Sequence, residues 1–354
     1  MRRVVVIGGG IAGVSAAAKL APDARVTLLE REPALGYHSS GRSAAMFEEN
    51  YGTPTTCDLN RASRLEHETR DVLSPRGMMI VAKAEDDAQF QSDLVTMGMD
   101  EIPVADAHRR VPILSPDITR AAIHEDAHDI DTDKLLNSFA RDARASGATI
   151  LTGHEVLGIE RTDHWTIQTR DAVIEADVIV NAAGAWADGL AIMAGVRPIG
   201  LQPNRRSMAR LPAPDGHDVR GWPMLFGPGE SWYAKPDAGG WIVSPAEEHP
   251  VEPMDAWADD MVLAEGLDRY QGYVTSPVTR LETSWAGLRT FSPDRSLVIG
   301  QDPAISDFFW CAGQGGYGIQ SAPAASDCLA DLVMGRTPSL SPETVRGLSP
   351  MRFL

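Results

Sequence analysis

Val4-Val5-Val6-Ile7-Gly8-Gly9-Gly10-Ile11-Ala12-Gly13 decides the fold of this 354-residue chain. Four β-branched residues in a row, ended by glycines, read as a short parallel strand covered on both faces. Gly8, Gly10 and Gly13 spell G-x-G-x-x-G, and the alanine-rich run from Val14 to Leu20 reads as a helix packed closely on that strand. Arg25 to Leu29 supplies the next strand, with Glu30 at its end, seventeen positions beyond Gly13. Alone, the glycine pattern is weak, since glycines also mark ligand-free turns. Its context here is a βαβ unit that holds a dinucleotide. Gly8 allows the tight turn, Gly10 lets backbone N–H groups approach a pyrophosphate, the helix N-terminus favours its charge, and Glu30 can accept the ribose hydroxyls. The motif does not choose between FAD and NAD, which both present an adenosine diphosphate.

Working outward, composition narrows the function classes. A net charge of -17 would repel a phosphate backbone, which speaks against a nucleic-acid partner. The three cysteines, Cys57, Cys311 and Cys328, are widely spaced and form no CxxC, so neither a disulfide framework, a zinc site nor any other metal site is expected. This usage suits a reducing, cytoplasmic compartment. No stretch reaches the roughly 18 to 20 apolar residues that span a bilayer, so no transmembrane segment is expected. Peripheral contact with a membrane stays open.

Further along, a glycine- and serine-rich loop from Gly36 to Ser43 precedes a helical stretch near Thr56 to Val72 and a strand at Met78 to Ala82. Asp131 to Asp133 can cap a helix from about Lys134 to Ser146, and Ala148 to Thr152 is strand-like. Val178 to Val180 leads into Asn181-Ala182-Ala183-Gly184-Ala185-Trp186, a small-residue turn where backbone can approach a cofactor. From Gln202 to Trp285 short strands alternate with Pro and Gly turns, as in an antiparallel sheet. Gly313 to Gly318 precedes a long helical pattern to about Met334, followed by a Pro-rich tail. The expectation is an α/β chain with a discontinuous Rossmann-type FAD-binding domain (1–77, 129–200 and 285–354) and an antiparallel-sheet α+β substrate domain (78–128 and 201–284).

The fingerprint with Glu30, the loop Gly36-Tyr37-His38-Ser39-Ser40-Gly41-Arg42-Ser43-Ala44-Ala45, the Asn181 to Trp186 turn, Trp285-Ala286-Gly287-Leu288-Arg289 and Gly315-Gly316-Tyr317-Gly318-Ile319-Gln320 together resemble the D-amino acid oxidase/glycine oxidase family. The resemblance spans nearly the whole chain, with the motifs in the family's order, and is greatest to the branch that dehydrogenates D-arginine. It implies FAD, and it does not fix the substrate. The cofactor shell it implies has Gly8, Gly10, Ile11, Ala12 and Gly13 at the first turn, with Glu30 and Arg31 at the end of the second strand. Ser39, Arg42, Ser43 and Ala44 follow on the loop, then Val156, Ala183, Gly184 and Trp186. Gly287, Arg289, Gly315, Gly316, Tyr317, Gly318 and Ile319 complete it.

By the same resemblance Arg206 and Arg289 reach the substrate carboxylate, whose geometry matches a guanidinium fork. Tyr51 and Tyr233 direct hydroxyls to that carboxylate or close the pocket, and the Gly316 carbonyl accepts from the amine. Without the resemblance, two tyrosines read as packing residues. Arg205 is assigned to the surface or the fold, and Cys311 to packing.

The departures concern the side-chain pocket. Where the D-arginine branch carries a glutamate this chain has Met78, where it has a histidine Met46, and where it has a smaller aliphatic residue Phe226. With Met224 and Gln320 these outline a pocket for medium or large apolar side chains. Glu48 replaces a threonine at the same end. Either it brings a negative charge into the pocket, or Glu48 and Glu49 form a solvated pair on the loop, the usual fate of adjacent carboxylates. Ser43 stands where dimethylglycine-type relatives tether flavin through a histidine, so non-covalent FAD is expected.

The activity implied is oxidative deamination of a D-amino acid to the 2-oxo acid by hydride transfer from Cα to flavin N5. Sarcosine-oxidase-like relatives place a lysine over the flavin to activate oxygen, and the corresponding strand, Gly240 to Pro245, has none. A dehydrogenase that passes electrons to a quinone or other carrier is therefore expected before an O2-using oxidase. Oxidation of a glycine- or sarcosine-like amine, or of a 2-hydroxy acid, stays open; the latter calls for a base such as a histidine. A non-catalytic flavoprotein has no use for the Arg206/Arg289 pair.

Overall fold

The computed structural model describes residues 1–354 except Asp215. Strand β1 (Arg3–Ile7) is followed by helix α1 (Ile11–Leu20) and strand β2 (Arg25–Leu29). β1 lies at the centre of a six-stranded sheet ordered Val298–Gln301, Phe308–Ala312, Val178–Asn181, β1, β2, Thr149–Leu151. The pairings are parallel apart from the edge strand Val298–Gln301. The unbroken apolar run of β1 follows from its place between two cores. Val4 and Val6 face α1 and the helices Thr132–Ala145 and Gly318–Met334, while Val5 and Ile7 face Trp165, Ile179 and Trp310. A small antiparallel sheet over residues 156–176 covers that second face.

Gly13 explains how closely α1 sits. A Cβ on Gly13 would lie 1.9 Å from the Gly8 carbonyl oxygen, and Gly8 has φ +118°, a conformation open to glycine. The helix N-terminus is thereby held over the strand end.

The second sheet has nine strands. Its back-face residues, including Met79, Val81, Leu225, Trp241 and Val243, form a core with the helix Asp260–Gln271, while Met78, Ile80, Phe226, Tyr233 and Ile242 share a second cluster on the front. This is the period-two alternation of a strand. One pairing departs from the antiparallel expectation: Met224–Phe226 runs parallel to Met78–Ala82. The chain leaves this sheet through residues 129–200 and re-enters, and a parallel neighbour needs such a long crossover.

Within the second sheet Gln202–Leu211 pairs with Thr283–Phe291, in unbroken register from Gln202↔Phe291 to Arg210↔Thr283, and this ladder forms that sheet's side of the seam with the FAD-binding part. A domain boundary at 285 cuts through this strand, which belongs to the second sheet. The loop Ser39–Arg42 rests on it, with Ser39 Oγ donating to the Leu288 carbonyl at 2.7 Å and Trp285 Nε1 donating to the Arg42 carbonyl at 3.1 Å. A buried clasp adds to the seam: Lys235 Nζ donates to the Ala44 carbonyl at 2.7 Å and to the Asp129 carboxylate, which also pairs with Arg76. Burial pushes the Lys235 ammonium below its ordinary pKa, and Asp129 opposes that shift.

Removing Asp129 leaves Lys235 buried without a counter-charge. Asp129→Ala is expected to cost about 3–5 kcal/mol, read as a lower urea midpoint at unchanged slope. A change under about 1 kcal/mol, the range of an exposed pair, would show that the clasp carries no load.

Candidate active site

A cleft of about 470 Å³ runs along the seam. Gly8, Gly10, Ile11 and Ala12 line it at the first turn, and Glu30 and Arg31 at the end of β2. The loop contributes Ser39, Arg42, Ser43 and Ala44, and the next wall is Val156, Ala183, Gly184 and Trp186. Gly287, Arg289, Gly315, Gly316, Gly318 and Ile319 complete it. Two expected members do not line it. Gly13 is taken up by packing against Gly8, and Tyr317 stacks edge-on to Tyr51 with ring centroids 5.1 Å apart.

The donors and acceptors fit a dinucleotide. The Glu30 carboxylate lines the cleft while accepting from the backbone N–H of Gly9 at 2.5 Å and of Glu32 at 2.8 Å, which fixes its orientation. The N-terminus of α1 carries no side-chain cap from Gly10, and the Ile11 N–H donates to Ser40 Oγ at 2.9 Å. That end of the helix, with its positive dipole, borders the cleft. Arg31 stacks over the Trp186 ring at 4.1 Å, and His38, also in the wall, has Nε2 2.9 Å from Glu32 Oε1. Arg42 differs from a free phosphate ligand: its guanidinium donates to the Ala256 and Ala286 carbonyls and to Asp255, bracketing the loop 255–256 against the seam.

Beyond the cleft lies an inner chamber of about 80 Å³, reached past Ser43, Ala44, Tyr233, Arg289, Gly316 and Ile319, which line both. Arg289 Nη1 donates to the Tyr51 hydroxyl at 3.2 Å. Burial works against the Arg289 cation, yet Tyr51, Tyr233 and Glu230 hold its pKa above the ordinary value, so it stays charged. Burial raises the Tyr51 phenol, so it stays neutral and keeps its proton to donate. A Cβ on Gly316 would meet the Arg289 guanidinium carbon at 2.9 Å, so a side chain there would displace that guanidinium.

Arg206 sits on the same face of the seam as Arg289, because Arg206 is the partner of Gly287. It lines the cleft rather than the inner chamber. Its Nη2 donates to Glu248 at 3.0 Å, while Nε and Nη1 are buried without a partner. A buried cation with two unused donors beside Tyr233 is a site prepared for an anionic acceptor. Arg205, on the opposite face, pairs with Asp259 at 3.3 Å and belongs to the fold.

Met46, Met78, Met224, Phe226 and Gln320 line the far end of the chamber. The register sets Met224 beside Met78 and Met78 beside His124 across three strands. Glu48 lies in the wall at 2% exposure, and the solvated-pair alternative applies only to Glu49, which faces Arg64 at 3.8 Å. The Glu48 N–H donates to Gln320 Oε1 at 2.9 Å, turning the residue inward.

Several wall residues had no separate signal in the sequence. Met97 closes a helix, Met208 is two positions past Arg206, and Glu230 follows Pro228-Gly229 in a left-handed conformation with φ 52°. Among the described residues no cysteine or lysine lines either cavity, no histidine lines the inner chamber, and no helix is long and apolar enough to cross a membrane.

A family model described as FAD dependent oxidoreductase (DAO) matches residues 3–332. The chain is 24% identical to glycine oxidase of Pseudomonas putida, covering 96% of this chain and 97% of that one. It is 22% identical to FAD-dependent oxidoreductase domain-containing protein 1 of Xenopus laevis, covering 94% and 79%. Among solved structures, glycine oxidase from Geobacillus kaustophilus superimposes with a TM-score of 0.86 at 21% identity, covering 99% of both chains. L-Proline dehydrogenase from P. horikoshii does so with 0.85 at 24% identity, covering 99% and 97%. Those two likenesses carry the fold; with the family match, the chain belongs to the FAD dependent oxidoreductase (DAO) family, and its cofactor is FAD.

Proposed function

We propose that this protein is a dehydrogenase that oxidatively deaminates a D-amino acid with an apolar side chain. The observation that carries the reading is a guanidinium–phenol pair, Arg289 and Tyr51, at the junction of the FAD cleft and a methionine-walled chamber. Bound in the cleft, FAD would supply the acceptor for the hydride of the substrate Cα. Everything else is positioning. Arg289 and the Tyr51 hydroxyl hold the α-carboxylate, and the spare donors of Arg206 lie on the same face. The Gly316 carbonyl accepts from the neutral amine, and Met46, Met78, Met224 and Phe226 pack on the side chain. The imine that leaves is hydrolysed to a 2-oxo acid and ammonia.

The glycine oxidase relatives raise a second reading, oxidation of glycine or a glycine-like amine. Against it, glycine would leave the methionine-walled end of the chamber unfilled. The 2-hydroxy acid reading lacks a histidine in the chamber wall among the described residues. Lys235, a buried lysine of the second sheet, lines neither cavity and is tied to Asp129 and to the carbonyl of Ala44, a residue of both walls; a lysine so engaged is not free to activate oxygen, which supports a carrier such as a quinone as electron acceptor.

Anaerobic mixing of the holoenzyme with D-amino, L-amino, N-methyl amino and 2-hydroxy acids tests the reading. D-Met, D-Leu or D-Phe should bleach the flavin fastest, and the reduced enzyme should reoxidise faster with a quinone than with air. Bleaching by L-amino acids alone would overturn the stereochemical assignment. Arg289→Met should keep FAD and lower kcat/KM on the order of 100-fold or more, because a charged hydrogen bond to the carboxylate is lost. Near-normal kinetics would remove Arg289 from the substrate site. With Ser43 on the loop and no cysteine lining either cavity among the described residues, acid precipitation should release the yellow chromophore into the supernatant. Colour retained in the pellet would mean a covalent link.

A further inference from the structure

A carboxylate at the end of an apolar chamber looks out of place, and its surroundings explain how it is tolerated. Glu48 is 2% exposed and lies in the chamber wall beside Met46 and Gln320. A carboxylate buried to that degree needs partners. It has one on each oxygen: His124 Nδ1 faces Oε2, and the Asn50 N–H donates to Oε1 at 3.0 Å.

Neither Glu48 nor His124 is free to move away. The Glu48 carbonyl accepts from the Tyr51 N–H at 3.2 Å, and its N–H is held by Gln320 Oε1 at 2.9 Å. Gln320 is fixed in turn, because its backbone carbonyl lies 2.8 Å from His67 Nε2, and burial lowers the pKa of that imidazole. His124 ends the strand Arg120–His124, where sheet register pairs it with Met78. It is absent from the chamber wall, and its side chain is 21% exposed. The imidazole thus meets the carboxylate from outside the lining of the chamber.

We infer that His124 is a specificity-determining residue: by donating to Glu48 from behind, it uses up the carboxylate and keeps the chamber closed to cationic side chains. The inference rests on the reading of this chamber as the place of the substrate's side chain. An ammonium or guanidinium entering among Met46, Met78, Met97 and Met224 loses its hydration, and of the two wall carboxylates Glu48 is engaged by His124 and the Asn50 N–H while Glu230 faces the charge of Arg289. Without His124, one backbone N–H would remain for a buried charge, and a ligand cation becomes the nearest counter-ion.

The test uses two carboxylic acids that lack an α-amine and so bind without being oxidised: hexanoate, with an apolar tail, and 4-guanidinobutanoate, with a cationic one. Their dissociation constants are read from perturbation of the flavin absorbance of the holoenzyme. The native protein should favour hexanoate. His124→Leu, which fills the imidazole's volume and keeps water out, should shift the ratio at least about tenfold toward 4-guanidinobutanoate, as a buried charge seeks its partner. The shift should vanish in the Glu48→Gln/His124→Leu double variant. Glu48→Gln alone, which folds without leaving a buried charge, should stay within about threefold of the native ratio, since a satisfied carboxylate offers a ligand little. A native preference for 4-guanidinobutanoate that Glu48→Gln abolishes would overturn the inference, as would a ratio that His124→Leu leaves unmoved. Failure of the amino acid reading shows separately, as no flavin bleaching by any amino acid while the two carboxylates shift as expected.

Discussion

The pairing of residues 202–210 with 283–291 is the constraint on which the rest depends. Its unbroken register, within the second sheet, gives the cofactor loop a surface to rest on and sets two arginines on one face. A slip of one residue would turn each of these side chains to the other face. The position of Arg206 relative to Arg289 is therefore a property of the ladder. The Lys235 clasp works at the same junction with charge instead of backbone, fastening Ala44 to the second sheet from below.

Electrostatically the site is polarised along its length. The cleft opens at Glu30 with the dipole end of α1 nearby, passes the two arginines, and ends at Glu48. The carboxylates at the two ends are held by named partners, Glu30 by two backbone N–H groups and Glu48 by the Asn50 N–H and His124, while Glu248, outside both walls, pairs with Arg206 and Arg295. The cations are less fully paired: Arg289 has a phenol, and Arg206 keeps two silent donors. Such an imbalance in a protein of net charge -17 is local, and it draws anions to one spot.

The first βαβ unit was legible because its signals are local: β-branched residues, glycines at fixed offsets, and a carboxylate at the strand end. The same holds for the Asp131 cap, whose side chain accepts from the Lys134 N–H at 2.8 Å. What was not legible depends on contacts distant in sequence. The parallel pairing of Met224–Phe226 joins segments separated by a whole crossover, and nothing in either segment announces it. Glu48 and Glu49 are chemically identical neighbours, and only Gln320 and His124, far along the chain, decide which one turns inward. The resemblance places Tyr317 in the cofactor shell, yet its ring packs edge-on against Tyr51. Arg42 lies on the cofactor loop, and its acceptors, the Ala256 and Ala286 carbonyls and Asp255, lie far along the chain.

The cofactor cleft draws its walls from both extremes of the chain, from Gly8 to Ile319, and Arg2 Nη1 donates to the Val333 carbonyl at 2.8 Å across the same core. Order of synthesis follows from this. While the ribosome is still reading the middle of the message, the emerging chain has the glycine turn and Glu30 but lacks the seam strand and the segment Gln314–Ile319. Half of the nucleotide's seat then has no floor. Loading of FAD thus belongs to the completed polypeptide, after the last long helix has docked beside α1. Until then the part of α1 that packs on this helix lacks its cover, and the incomplete chain exposes apolar surface that the finished enzyme does not.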